Sequence, residues 1–114
     1  MVEKPLLASL RVLDLCSGAG DAVGRILADL GADVLKIEPP GGSPARGSAP
    51  MVAGAGIGFA LDNANPRCAV LEPGAPADRR ALIELAGDAD IVIDSQNPGA
   101  AAAFGTSCRE LSQL

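Results

Sequence analysis

The chain has 114 residues, and 9 Lys and Arg against 14 Asp and Glu give a formal net charge of −5. An acidic chain lacks the basic stripe that displaces counterions from nucleic acid, and the absence of His excludes a Ser-His-Asp triad, a Cys-His pair or His-ligated zinc within these residues. Phe59 and Phe104 are the only aromatics, so the core is expected from Leu, Ile, Val and Ala, and aromatic stacking of bases is ruled out.

The three cysteines, Cys16, Cys68 and Cys108, are far apart and form no C-x-x-C pair. Free thiols in a reducing compartment are the simplest reading. Met1-Val2-Glu3-Lys4-Pro5 lacks the basic-then-apolar layout of a secretory leader, and no apolar run reaches the roughly 20 residues of a membrane span. The expected setting is cytoplasmic, with no membrane partner.

Leu10-Arg11-Val12-Leu13-Asp14-Leu15 carries apolar residues on both faces, as a buried parallel strand does. Cys16-Ser17-Gly18-Ala19-Gly20 follows as a small-residue turn, and Asp21 is placed to cap a helix. Ala22, Val23, Ile26, Leu27 and Leu30 mark the apolar stripe of that helix, and Gly31 its stop. Asp33-Val34-Leu35-Lys36-Ile37-Glu38 reads as a second strand, closing a βαβ unit.

Residues 41–58 are rich in Gly, Pro, Ser and Ala and read as a flexible connection. A helical turn over residues 57–61 and a third strand over residues 67–71 follow. A helix starts at Asp78, with Ala81, Leu82, Leu85 and Ala86 on one face. Ala89-Asp90-Ile91-Val92-Ile93-Asp94 is the fourth strand, residues 100–103 are helix-prone, and Ser107 caps a last turn through Leu111. The fold class is α/β, with a short, mostly parallel sheet of about four strands. Such a sheet leaves open edges, so a homo-oligomer or a second chain completing the fold is expected.

The strand-to-helix turn is the first place to look for chemistry, because it aims backbone N–H groups at a ligand near a helix start. Gly18, Gly20 and Gly24 give G-x-G-x-x-x-G, which departs from the dinucleotide fingerprint. Glu38 sits where a ribose-binding acid lies in such folds. The same turn resembles the first motif of S-adenosylmethionine-dependent methyltransferases, a reading confined to the first third of the chain. Glycines that merely let helix and sheet pack closely explain the turn as well. Cys16 lies near a helix start, where thiolates are favoured, but no general base accompanies it. Cys68 and Cys108 read as packing residues.

A wider pattern covers nearly all of the chain. Pro5-Leu6, the first strand, the stretch from Leu27 through Gly42, then Pro44, Arg46, Asn65, Arg67, the fourth strand, Pro98-Gly99 and Gly105 resemble, in order and spacing, the N-terminal part of class III CoA-transferases. This is the group of formyl-CoA transferase, carnitine CoA-transferase and alpha-methylacyl-CoA racemase. The resemblance implies a partial Rossmann-like three-layer domain here, the start of a large domain completed by later parts of a longer chain, and two subunits that interlock like links. It implies coenzyme A as substrate, bound as acyl-CoA, and a nucleophilic aspartate that passes through a mixed anhydride and an enzyme-linked CoA thioester. No Asp here matches that nucleophile, so no catalytic residue is assigned. The CoA-binding positions implied are Ser17, Gly18, Ala19, Gly20, Leu71, Ser95 and Gln96.

The departures bear on CoA. Asp21 replaces the Pro that usually ends the first loop, and Ser95-Gln96 replaces an Asn-Phe pair. Basic residues that commonly hold CoA phosphates are replaced by Pro39, Gly74 and Ala103. The expectation is therefore an N-terminal segment of an enzyme moving CoA between carboxylic acids, inactive alone. The alternatives are a degenerate, non-catalytic association subunit and a methyltransferase-like binder of S-adenosylmethionine.

Overall fold

The computed structural model describes residues 5–16, 20–62, 66–95 and 99–114. In chain order the elements are β1 (Arg11–Asp14), α1 (Asp21–Asp29), β2 (Asp33–Glu38), a 3-10 turn (Pro44–Gly47), β3 (Met51–Val52), β4 (Ala55–Gly56) and α2 (Ile57–Asp62). They continue with β5 (Arg67–Val70), α3 (Pro76–Asp88), β6 (Ile91–Ile93), α4 (Ala100–Ala103) and α5 (Cys108–Leu111).

Four strands form one sheet in the order β5-β2-β1-β6, and every pairing within it is parallel. Taken by their rank along the chain, these strands run third, second, first, fourth. The order reverses between β1 and β6, which is the switch point where doubly wound sheets open a crevice beyond their carboxyl ends. The expected three-layer α/β architecture is the observed one.

Alternation along the strands sets the layers. Val12 and Val34 face one side, where they pack with Ala32, Leu27 and Ala28 beneath α1. Leu13, Leu15 and Ile37 face the other, where they meet Leu82 and Ala86 of α3, Ala101 and Phe104 at α4, and Leu111 of α5. With both faces covered, near-continuous apolar runs are what the central strands require.

The glycine stop after α1 is realised: Gly31 has φ of +100° and its N–H bonds to the Ala28 carbonyl. The Ser107 cap is present as well, its Oγ accepting from the Glu110 N–H at 3.2 Å. Three expectations change. Asp21 does not cap α1. Gly20 occupies that position with φ of +91°, and Asp21 turns inward. The α3 helix starts two residues earlier than expected, because Pro76 suits the first helical turn and its missing N–H costs nothing there. Residues 41–58 are not a featureless connection. They hold the 3-10 turn and the β3–β4 antiparallel hairpin, which reverses at Ala53 and Gly54, both with positive φ.

The apolar stripe of α1 is the surprise. Val23, Ile26 and Leu30 point outward and remain exposed, beside an exposed Leu61. The helix touches the sheet through Gly24, Leu27 and Ala28 instead. The sheet edges are also open, with Val70 and Ile91 exposed. No helix among the described residues is long and apolar enough to cross a membrane.

Leu82 is wholly buried within the larger core. Leu82→Ala is expected to cost about 2–5 kcal/mol of unfolding free energy, whereas Leu6→Ala, at an exposed position, should leave it within about 0.5 kcal/mol. Urea denaturation of the two variants checks the contrast.

Candidate functional site

The carboxyl ends of β1, β2 and β5 border a cleft of about 220 Å³. Leu15, Cys16, Ile37 and Glu38 come from the strand ends, and Leu71 and Pro73 from the segment after β5. The opposite wall is Ala100, Ala103 and Phe104 of α4 and its end. Pro39 and Ser43 complete the lining, which is therefore almost wholly apolar.

Of the seven positions expected to bind CoA, Gly20, Leu71 and Ser95 are described, while Ser17, Gly18, Ala19 and Gln96 lie outside the described residues. Leu71 lines the cleft together with Cys16. A Cβ on Gly20 would sit 3.3 Å from Cys16 Sγ and 3.5 Å from Ser95 Cβ. The three described positions thus gather around Cys16, at the strand ends nearest the switch point.

Between the end of β1 and the start of α1 lies a charged cluster that no local motif announces. Asp14 and Lys36 are register partners in the β1–β2 ladder, so both side chains leave the sheet on the α1 side. Both are fully buried. Lys36 Nζ donates to Asp21 Oδ1 at 2.6 Å and to the Cys16 carbonyl at 2.6 Å, and stands 3.8 Å from Asp14 Oδ2. Asp14 Oδ1 accepts the Cys16 N–H at 2.8 Å, while its Oδ2 accepts no hydrogen bond among the described residues. Gly24 is required here, because a Cβ would overlap Asp14 Oδ2. The two acids at residues 14 and 21 and the lysine at residue 36 were visible in the sequence, but only the parallel register says that they meet.

Burial raises the Asp14 pKa, a cost that its hydrogen bond from Cys16 and the nearby Lys36 ammonium only partly offset. The Cys16 thiol is pushed up to about 12, chiefly by burial and then by the Asp14 charge. Cys16 is therefore a thiol at neutral pH, and the thiolate nucleophile considered for a helix start is not realised: desolvation outweighs the helix dipole.

Glu38 is also not free to bind a ribose. Its carboxylate is 3% exposed and held at both oxygens. Arg46 Nε donates to Oε1 at 2.6 Å and Arg46 Nη2 to Oε2 at 2.8 Å, and the Ser43 N–H donates to Oε1 at 3.0 Å. The Arg46 hydrogen bonds hold the Glu38 pKa below the usual carboxylate range. This fork ties the segment after β2 against the mouth of the cleft.

The far side of the site rests on Asp94, just after β6. Its Oδ1 accepts the N–H groups of Ser95 at 2.8 Å and Ala100 at 3.1 Å, and its Oδ2 that of Ala101 at 2.9 Å. A Cβ on Gly99 would overlap this carboxylate. Asp94 thus caps α4, and Asp90, just before β6, accepts the Arg11 N–H at 2.8 Å. Asp33 instead pairs with Arg67 at 2.7 Å across the β2–β5 edge.

Substitution tests both charged pairings. Lys36→Met leaves two buried carboxylates without their cation, and should destabilise the fold by about 3–5 kcal/mol in chemical denaturation at neutral pH. Arg46→Gln should cost about 1–3 kcal/mol at pH 7 by stranding the Glu38 carboxylate. Because the Glu38 pKa is lowered in the folded state, its contribution is present above the unfolded value of about 4.3 and is lost as pH falls through the lowered one. The gap between parent and Arg46→Gln should therefore close on acidification, as denaturation midpoints measured from pH 7 to pH 3 will record.

The profile described as CoA-transferase family III matches residues 7–114. A protein named "Probable CoA-transferase" in Mycobacterium tuberculosis is 59% identical over 104 residues, covering 90% of this chain and 13% of that protein. The succinyl-CoA:mesaconate CoA-transferase of Haloarcula hispanica is 38% identical over 99 residues, covering 82% of this chain and 25% of that enzyme. Among solved structures, a CAIB/BAIF family protein from Brucella suis superposes with a TM-score of 0.84 at 30% identity, covering 97% of this chain and 31% of that one. The chain thus spans between 13% and 31% of the length of these relatives. With the family pattern matched across both layers of the fold and all four parallel strands, this chain belongs to CoA-transferase family III.

Proposed function

We propose that this chain is the opening part of the large domain of a class III CoA-transferase, and that the apolar cleft at the strand ends receives the pantetheine arm of an acyl-CoA. The observation that carries the reading is the convergence of Gly20, Leu71 and Ser95 around Cys16 at the carboxyl ends of a parallel sheet. One relative named above, the succinyl-CoA:mesaconate CoA-transferase, moves CoA between two carboxylic acids by its printed name. The substrate class proposed here is accordingly a CoA thioester of a carboxylic acid, with a second acid as acceptor.

The residues of this chain would bind and orient, leaving the bond exchange to residues elsewhere. Class III transfer needs a free aspartate that attacks the thioester carbonyl, expelling CoA thiolate and forming a mixed anhydride. The strand-end carboxylates here are engaged otherwise: Asp14 bonds the Cys16 N–H, Asp94 caps α4, and Glu38 is locked by Arg46. Cys16, held as a thiol, does not substitute. The role left to this segment is to hold the thiol arm beside Cys16 and Gly20, in an apolar slot.

The outward face of α1, with Val23, Ile26 and Leu30 exposed, supports a second reading. In it the chain is a non-catalytic association subunit whose surface is covered by a partner or by a second copy. The two readings separate by experiment. Calorimetric titration of the purified chain at low salt is expected to show micromolar binding of CoA and acetyl-CoA and none of S-adenosylmethionine. Incubation of the same chain with acetyl-CoA and a carboxylic acid acceptor should give no transfer. A folded chain that binds no CoA would leave the association reading standing, and acyl transfer by the chain alone would overturn the assignment of the chemistry to residues elsewhere.

A further inference from the structure

The cleft as described has no cation for the phosphates of CoA. Pro39 and Ala103, two positions where basic residues are missing, line it directly, and the third, Gly74, follows the lining residue Pro73. An apolar slot alone cannot compensate the desolvation of a diphosphate.

The cations elsewhere in the chain narrow the choice. Lys36 is committed to Asp21 and Asp14, Arg46 to Glu38, Arg67 to Asp33, and Arg25 to Asp29. Among the described residues, Arg11, Arg79, Arg80 and Arg109 make no ion pair. Arg11 opens β1 at the opposite end of the sheet from the cleft, and Arg109 lies on α5. Of these four, Arg79 and Arg80 are the ones that border the site.

They do so through Phe104. This side chain closes one wall of the cleft and also lines a neighbouring open depression of about 310 Å³, whose other residues are Arg79, Arg80, Ile83 and Glu84. The Arg79 guanidinium donates from Nε to the carbonyl of Pro73, which is itself a cleft residue. That bond fixes the arginine at the cleft rim and leaves its other N–H groups to face an anion. Glu84 is the carboxylate that faces the same depression, so one negative charge opposes two positive ones. From Cys16 past Phe104 to Arg79 and Arg80, the surface runs from the end of the first strand through an apolar slot to a cationic shelf. An acyl-CoA has the same order: thioester, pantetheine, phosphates.

We infer that Arg79 and Arg80 form the phosphate-binding end of the CoA cleft, in place of the basic residues missing at Pro39, Gly74 and Ala103. The inference rests on the CoA reading above and deepens it. Arg79, with its fixed Nε, presents a fork for a phosphate oxygen pair, while Arg80 adds charge.

Calorimetry with CoA, 3′-dephospho-CoA and pantetheine tests it. The parent chain is expected to bind CoA more tightly than pantetheine, with an affinity that falls as salt rises. Arg79→Gln/Arg80→Gln should weaken CoA at least about tenfold, flatten the salt dependence, and leave pantetheine unchanged, since removing one charge-assisted hydrogen bond lowers affinity about fivefold or more. Dephospho-CoA resolves which phosphate is held: an equal loss for CoA and dephospho-CoA places the diphosphate on the shelf, and a loss confined to CoA places the 3′-phosphate there. Arg109→Gln, which lowers the net charge equally per substitution, should bind CoA as the parent does. Unchanged CoA affinity in the double variant, an equal loss of pantetheine, or an equal loss in Arg109→Gln would each overturn the inference while sparing the CoA reading. A folded parent that binds neither CoA nor pantetheine would overturn both.

Discussion

A single buried ammonium organises the working end of this fold. Lys36 is carried by the second strand, yet it reaches the last residue of the first strand, the carbonyl of Cys16 just beyond it, and the first residue of α1. Three segments that also pack through Val12, Val34, Leu27 and Ala28 are pinned at one polar point. Burying this charge is expensive, and its two carboxylates offset the desolvation only because all three groups share one dry site. The end of the first strand inherits its position from that site. So does α1, which must approach through bare Gly24 because the Asp14 carboxylate occupies the space a side chain would need.

The same economy of charge governs the cleft. In an acidic chain with few cations, several are committed to carboxylates of the chain itself: Lys36 between β1 and α1, Arg46 at the end of the second strand, Arg67 at the sheet edge. What these pairings leave beside the cleft is apolar, apart from the arginines on the first turns of α3. The electrostatics thus divide the site into a neutral slot that favours an aliphatic arm and a rim that retains positive charge.

The layered fold was legible because its signals are local. Apolar runs bounded by Gly31 and by Pro39-Pro40 announced two strands and the helix between them, and the four-strand parallel sheet followed from the alternation of strands and helices. The resemblance read from Leu27 through Gly42 and from the fourth strand pointed to the family that the comparisons identify. What was not legible depends on register. Asp21 looked like a cap because aspartate before an apolar stripe commonly is one. Its actual partner lies fifteen residues away and is fixed by the pairing of Asp14 with Lys36. Glu38 looked available as a sugar ligand because nothing in its neighbourhood says that Arg46 folds back onto it through a turn at Gly42. The stripe on α1 was expected to face the sheet, and it was misplaced by the need to bring Gly24, rather than a larger residue, over the buried carboxylate. Of the expected CoA contacts, Gly20, Leu71 and Ser95 come together, and the shelf at Arg79 and Arg80 escaped notice because sequence shows neither Phe104 beside them nor the Pro73 carbonyl beneath.

The Asp94 contact with α4 gives the cleft an unusual mechanics. One wall of the cleft is a helix four residues long, too short to stand by its own hydrogen bonding. It is clamped at its start by the Asp94 carboxylate and carries Phe104 at its other end. It is also held from below, because Ala101 and Phe104 belong to the core shared with Leu82 and Leu111. One wall of the cleft therefore has two anchors of different kind, a carboxylate at its start and an apolar seat beneath, and each is sensitive to a different solvent change.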